Sequence, residues 1–331
     1  MYLQSRGLGI AADVRKQSTA PSGQACPHPL LVPAGVPLRE HIRCLERRLA
    51  VLRRQQAETD RISCDLERAK LRLATEPAPT PPSSTPVTVT TVSPLRFVCR
   101  VHTRTEEPGQ RIGHSIGTGL LIHPRIVLTS AHVVFPPQAR GRTVSVEVTP
   151  GQNGDGMPFG GPFRADAWTA APGWNATMPC EHDFALVRLP KATVAGFWPI
   201  GLVSAEDVMG VDVHHAGYPV CQADAPGKQM VRGVGQILSG VRYNRACSIK
   251  TKFQDVDRAP LDNATRTLAH NIPTCESQSG GPLWIADVCT REPVAVALHQ
   301  GRLADGRFGR AVLFSPVIVK EIRTVLGALL K

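Results

Sequence analysis

The chain has 331 residues, 42% hydrophobic and 20% charged, an ordinary balance for a protein able to bury a large core. Lys and Arg number 38 against 27 Asp and Glu, a net charge of +11, but aromatics are only 5% and no basic groove or nucleic-acid motif is present, so a nucleic-acid partner is not expected. No stretch nears the roughly 18 apolar residues of a membrane span.

The opening residues MYLQSRGLGIAADVRK lack the apolar core of a secretory signal, so the expected location is the cytoplasm, or outside the cell by a non-classical route. Nine cysteines, an odd number without the spacing of a disulfide scaffold, lean towards a reducing compartment.

Residues 1–37 are mixed and Pro-spotted and read as a disordered or irregular segment. Over 38–74, Leu38, Leu45, Leu52, Leu66 and Leu73 fall on a seven-residue spacing with Ile42 and Leu49 in the companion slot, which predicts a helix. Its first half suits a short coiled coil and self-association through 38–73. Gln56, Ser63 and Lys70 weaken the seam, and Arg39, Arg43, Arg47, Arg48, Arg53 and Arg54 suit a solvated helix equally. Residues 75–94, TEPAPTPPSSTPVTVTTVSP, read as an extended Pro/Thr-rich linker. From Leu95 to the end at 331, short apolar runs alternate with turn clusters at the spacing of an all-β unit. A closing helix carries Val317, Ile318, Ile322, Val325, Leu326 and Leu329 on its predicted buried face.

Three blocks in this unit carry chemistry: GTGLLIHPRIVLTSAHVV (117–134), EHDFALVRL (181–189) and TCESQSGGPLW (274–284). Singly, His132 reads as a polar residue at a strand end, and Asp183 and Ser279 as turn formers. Together, in the order His, Asp, Ser, they resemble the chymotrypsin-like serine proteases over about 97–328. TSAHVV, HDFALVRL and SQSGGPLW match that family's three blocks, and HAGYP (215–219) is similar to a segment of the bacterial glutamyl-endopeptidase branch. The resemblance implies an all-β fold of two six-stranded antiparallel β-barrels with a C-terminal helix, and a serine endopeptidase acting on proteins or peptides without a cofactor. It assigns His132, Asp183 and Ser279 to the triad and the amides of Ser277 and Ser279 to the oxyanion hole.

Several positions depart from the family pattern. Ser277 replaces a glycine whose amide serves the oxyanion hole, and a left-handed backbone there costs a non-glycine residue about 1–2 kcal/mol. This keeps two alternatives open, a catalytically weak binding module and a mainly self-processing protease. Cys275 lacks its usual later partner, and no activation site of the trypsin kind precedes residue 95. Pro273 stands where trypsin-like enzymes hold an aspartate. Thr274 and His299 match the residues with which the glutamyl branch binds an acidic side chain, where a partly protonated imidazole would add charge. That branch also uses a mature N-terminal amine, which the extended chain lacks unless processed. Cys180 with His182, and His214 or His215 with Cys221, lack the paired spacing of a metal site, so no metal is expected. His114, His123 and His270 read as turn or surface residues, His270 remaining a minor pocket candidate.

Overall fold

A computed structural model describes residues 82–330 apart from 108, 110, 137–141, 173, 175–179, 199, 204–207, 210, 222–225, 244–255, 260–264, 287–291 and 304–307. The segments 1–37 and 38–74 therefore lie outside the described residues, as does the start of the 75–94 linker.

A short strand, β1 (Ser83–Pro86), leads into β2 (Val98–Glu107), β3 (Arg111–His123), β4 (Ile126–Thr129), a single helical turn α1 (Ala131–Val134), β5 (Arg142–Pro150), β6 (Phe163–Arg164), β7 (Ala167–Ala170) and β8 (Ala185–Arg188). The second half comprises β9 (Asp212–Gly217), β10 (Val231–Tyr243), β11 (Val256–Ala259), β12 (Thr267–His270), β13 (Pro282–Ala286), β14 (Pro293–Arg302) and β15 (Gly309–Leu313), followed by α2 (Pro316–Leu329). All strand pairs are antiparallel.

In the second half the path β10-β12-β15-β14-β13-β9 closes through the β9–β10 pairing into a six-stranded barrel. The first half is a curled sheet in the order β6-β5-β2-β3-β4-β8-β7. Its two end strands are pieces of one bent segment: Ala165 donates to Val146 of β5 and the next residue, Asp166, to Arg188 of β8. The chymotrypsin-like double-barrel expectation is met, with the first half curled rather than ladder-closed.

Residue pattern explains the placement. In β2, Val98, Cys99, Val101, Thr103 and Thr105 are buried while Arg104 faces out, the alternation of a half-covered strand. The run IVLT of β4 is buried throughout because its two faces serve two cores. Val127 joins Val101, Leu121, Val146 and Val187 inside the first half, whereas Ile126 and Leu128 join Tyr218, Trp284, Leu298 and Phe314 between the halves. A third cluster, including Val213, Ile237, Leu268, Leu283 and Val296, fills the second barrel.

Two segments cross between the halves. Before the first sheet begins, β1 pairs with Val231–Val234 of β10, in the second barrel, and Val87 is buried with its N–H on Met230 O at 2.9 Å. Within the expected linker, Ser83–Pro86 are thus extended and ladder-paired to β10 with their side chains exposed, and Val87 and Thr90 are the buried residues that follow. The linker composition hid this because Pro86 is tolerated on an edge ladder. In return α2, following the second barrel, contacts β7 and β8 of the first sheet, and Arg188 donates to the end carbonyl of Leu329 at 2.7 Å. Ile318, Val319, Ile322 and Val325 are buried; Val317 is exposed, one step off the expected face. Among the described residues no helix is long and apolar enough to cross a membrane.

Candidate active site

The turn after β4 sets His132 in α1, and Asp183 begins the approach to β8, whose pairing with β4 brings the two together. Asp183 grips His132 twice. Its Oδ2 lies 2.7 Å from His132 Nδ1, and its Oδ1 accepts the His132 backbone N–H at 2.9 Å. The first contact puts a proton on Nδ1 and leaves Nε2 as the free base. Burial alone would push the Asp183 carboxyl up, but the His132 charge, the His132 hydrogen bonds and the nearby positive charge of Arg310 outweigh it, holding the carboxyl below its usual range.

The loop before β13 brings Ser279 from the second half. Gly280 follows with φ +86°, and a side chain there would collide with Thr118 O, Thr129 Oγ1 and the Ser130 backbone. Ser277 has φ 72°, the single non-glycine positive φ among the described residues. The Glu276 carbonyl accepts from Val220 N–H at 3.1 Å, so the Ser277 N–H of the same peptide turns the opposite way. Among the described residues neither the Ser277 nor the Ser279 N–H donates to a protein group. Two unpaired N–H groups of one loop, flanking a serine hydroxyl, can stabilise an oxyanion.

The Ser279 hydroxyl itself donates to Gln300 O at 2.9 Å, and His132 Nε2 has no protein partner among the described residues. The sequence therefore brought His132 and Asp183 into direct contact, with Ser279 hydrogen-bonded to the pocket strand.

Around His299, three imidazoles are fully buried: His215 on β9, His270 on β12 and His299 on β14. His270 Nε2 lies 3.0 Å from His299 Nδ1, and His215 Nδ1 donates to Pro282 O at 3.1 Å. Burial pushes His215 down to about 4, His270 to about 3, and His299 well below the ordinary histidine range. His270 is thus no turn or surface residue, and His299 does not carry the expected partial charge. His270 Nδ1 is buried without a partner. An orphaned buried N–H is the rarer state, so His270 donates from Nε2 and His299 keeps its proton on Nε2 as a neutral donor. Thr274 is buried, and its carbonyl accepts from the Arg302 guanidinium.

A trypsin-like peptidase domain model matches residues 117–295, more than half of the chain. The chain belongs to the trypsin-like peptidase family. No curated protein matches it. Among solved structures it is similar to a Glu endopeptidase in complex with MPD, 20% identical with TM-score 0.54, covering 73% of this chain and 95% of that one. It is similar also to HL collagenase, 16% identical with TM-score 0.51, covering 72% and 96%. The protease Anisep from Arthrobacter nicotinovorans is 15% identical with TM-score 0.50, covering 73% and 98%. At these identities the likeness is one of fold.

Within this peptidase domain, sequence reasoning missed the residue that ties the halves together at the cleft. Thr118 N–H donates to Ser279 O at 2.8 Å, its hydroxyl donates to Ser277 O at 3.0 Å, and the same oxygen accepts from Tyr218 N–H at 3.0 Å. The only signal was a lone hydroxyl between Gly117 and Gly119. A second miss is the bond between Cys221 and Cys275, with Cα atoms 6.3 Å apart. Cys275 does have a partner, supplied from the loop after β9, because Val220 already pairs with the Ser279 loop. Cys99 is a buried free thiol. His182 pairs with Glu321 of α2 at 3.2 Å, and His214 Nδ1 lies 3.2 Å from an Arg232 Nη. Among the described residues no cluster suited to a metal ion occurs.

Proposed function

We propose that the protein is a serine endopeptidase in which Ser279 attacks the carbonyl, His132 carries the proton and Asp183 holds the imidazole. Rotation about χ1 would take the Ser279 hydroxyl from Gln300 O towards His132 Nε2, which removes the proton as the C–O bond forms. The negative oxygen of the intermediate is received by the Ser277 and Ser279 N–H groups. His132, now protonated and stabilised by the ionised Asp183, returns the proton to the leaving amine. Water then cleaves the acyl-enzyme by the same steps. The observation that carries this reading is the double grip of buried Asp183 on His132 across from a serine loop with two unpaired N–H groups.

For specificity, we propose a pocket formed by Thr274 and His299 that favours an acidic residue before the scissile bond. Both offer neutral hydrogen-bond donors, and Pro273 supplies no negative charge against an acid.

The bond from Ser279 to Gln300 O favours a second reading, a protease-fold binding module with a parked hydroxyl. A fluorophosphonate probe separates the two. The native protein is expected to label and Ser279→Ala to remain blank; a folded native protein that does not label would establish the binding module.

A further inference from the structure

We propose that Arg302 is the cation of the specificity pocket, the group that pairs with the carboxylate of an acidic side chain bound there; this rests on the acidic-pocket reading above. Burying a carboxylate against a hydroxyl and a neutral imidazole leaves an ion without a counter-charge, which is costly. His299 cannot supply that charge, since it sits among His215 and His270 in a fully buried cluster.

The strand register brings the arginine to the same face. In β14 and β15, His299 pairs with Ala311, Gly301 with Arg310 and Arg302 with Gly309, so Gln300 is an extra, bulged residue. Partners across a ladder share a face, and Ala311 and Gly309 are two apart. His299 and Arg302, three apart, therefore project to one side, where an unbulged strand would oppose them. Gly301, at φ +147° with open space around it, permits the turn.

A guanidinium donation to the Thr274 carbonyl then fixes Arg302 against the other pocket residue. One N–H of the fork is spent on that carbonyl, and the remaining donors suit a carboxylate. Because Arg302 is exposed at the pocket edge, its charge is not itself penalised by burial. No other described feature of the pocket offers a positive group in contact with Thr274.

The test uses the full chain and peptides differing only in Glu or Gln before the scissile bond, with kcat/KM measured for each. The native protein is expected to favour Glu. Arg302→Gln is expected to lower the Glu-to-Gln ratio about 10- to 100-fold, the range of a charge-assisted hydrogen bond. Arg302→Lys, which keeps charge but loses the fork, is expected to retain part of the ratio. A native preference for Glu that survives Arg302→Gln would overturn the role of Arg302 and leave the acidic pocket standing. A native protein indifferent to Glu and Gln would overturn the acidic pocket, and this proposal with it. Should Arg302→Gln fail to fold, Arg302→Lys decides: a ratio unchanged from the native value would show that no fork is used.

Discussion

At φ 72°, Ser277 bears a left-handed backbone that costs a serine about 1–2 kcal/mol, and its carbonyl is fixed by Thr118 while the preceding carbonyl is fixed by Val220. Protein groups thus hold the conformation from both sides. Ser277→Gly is therefore expected to raise stability by about 1 kcal/mol, after allowing for glycine's greater unfolded freedom, with kcat changed less than threefold. Denaturation midpoints and peptide turnover check this; a tenfold gain in kcat would mean that the loop is incompetent as serine. Thr118→Val removes the donor to Ser277 O and the acceptor for Tyr218 N–H, leaving buried backbone groups unpaired. A loss of about 1–3 kcal/mol and a fall in kcat exceeding any change in KM are expected. At this scale the sequence foretold what sits in compact motifs, as with the contact of His132 with Asp183 and the left-handed backbone of Ser277. It was silent on Thr118, whose contacts lie 100 and 159 residues away, and on the burial of His270, which only the barrel decides.

Among the elements, β1 is the one whose removal tests the domain boundary. Its four ladder pairs and the burial of Val87 would be lost from a chain starting at 95. Relative to a chain starting at 82, that shorter chain is expected to melt roughly 5 °C lower, from about 1.5–3 kcal/mol of apolar burial alone. Limited proteolysis is expected to spare 83–94, and cutting within it would restore the free-linker reading. Proline and threonine richness suggested extension, which Ser83–Pro86 show, but could not say what an extended segment lies against, because an edge strand needs only backbone. The unbroken apolar β4 and β8 were legible as strands; their two-sided burial was not, since it depends on the neighbour brought up by the second barrel. In α2 the spacing gave the helix and most of its face; of the six residues expected there, Val317 in the first turn is the exposed one.

For the whole molecule, His215, His270 and His299 contribute a response to acid. Their folded values lie below the ordinary unfolded value near 6.5, so between these the unfolded chain binds more protons than the folded one. The stabilisation is complete above about pH 6.5 and is lost as pH falls towards about 4, at about 1.4 kcal/mol per pH unit for each histidine. Asp183, with a lowered carboxyl, adds a loss only below the carboxylate range. Thermal melts from pH 8 to 4.5 are expected to be level at the top and steep below 6.5; a flat profile to pH 5 would show that the imidazoles are hydrated. The exchange of β1 and α2 between the halves bears on motion. His132 and Asp183 belong to one half and Ser279 to the other, yet neither half can swing as a free body. Widening the gap by a hinge would peel β1 off β10 and α2 off β7 and β8 at opposite ends of the chain path. The low-cost displacements are then those of the loops bordering the cleft, and a bulky substrate is admitted by loop adjustment over a rigid frame.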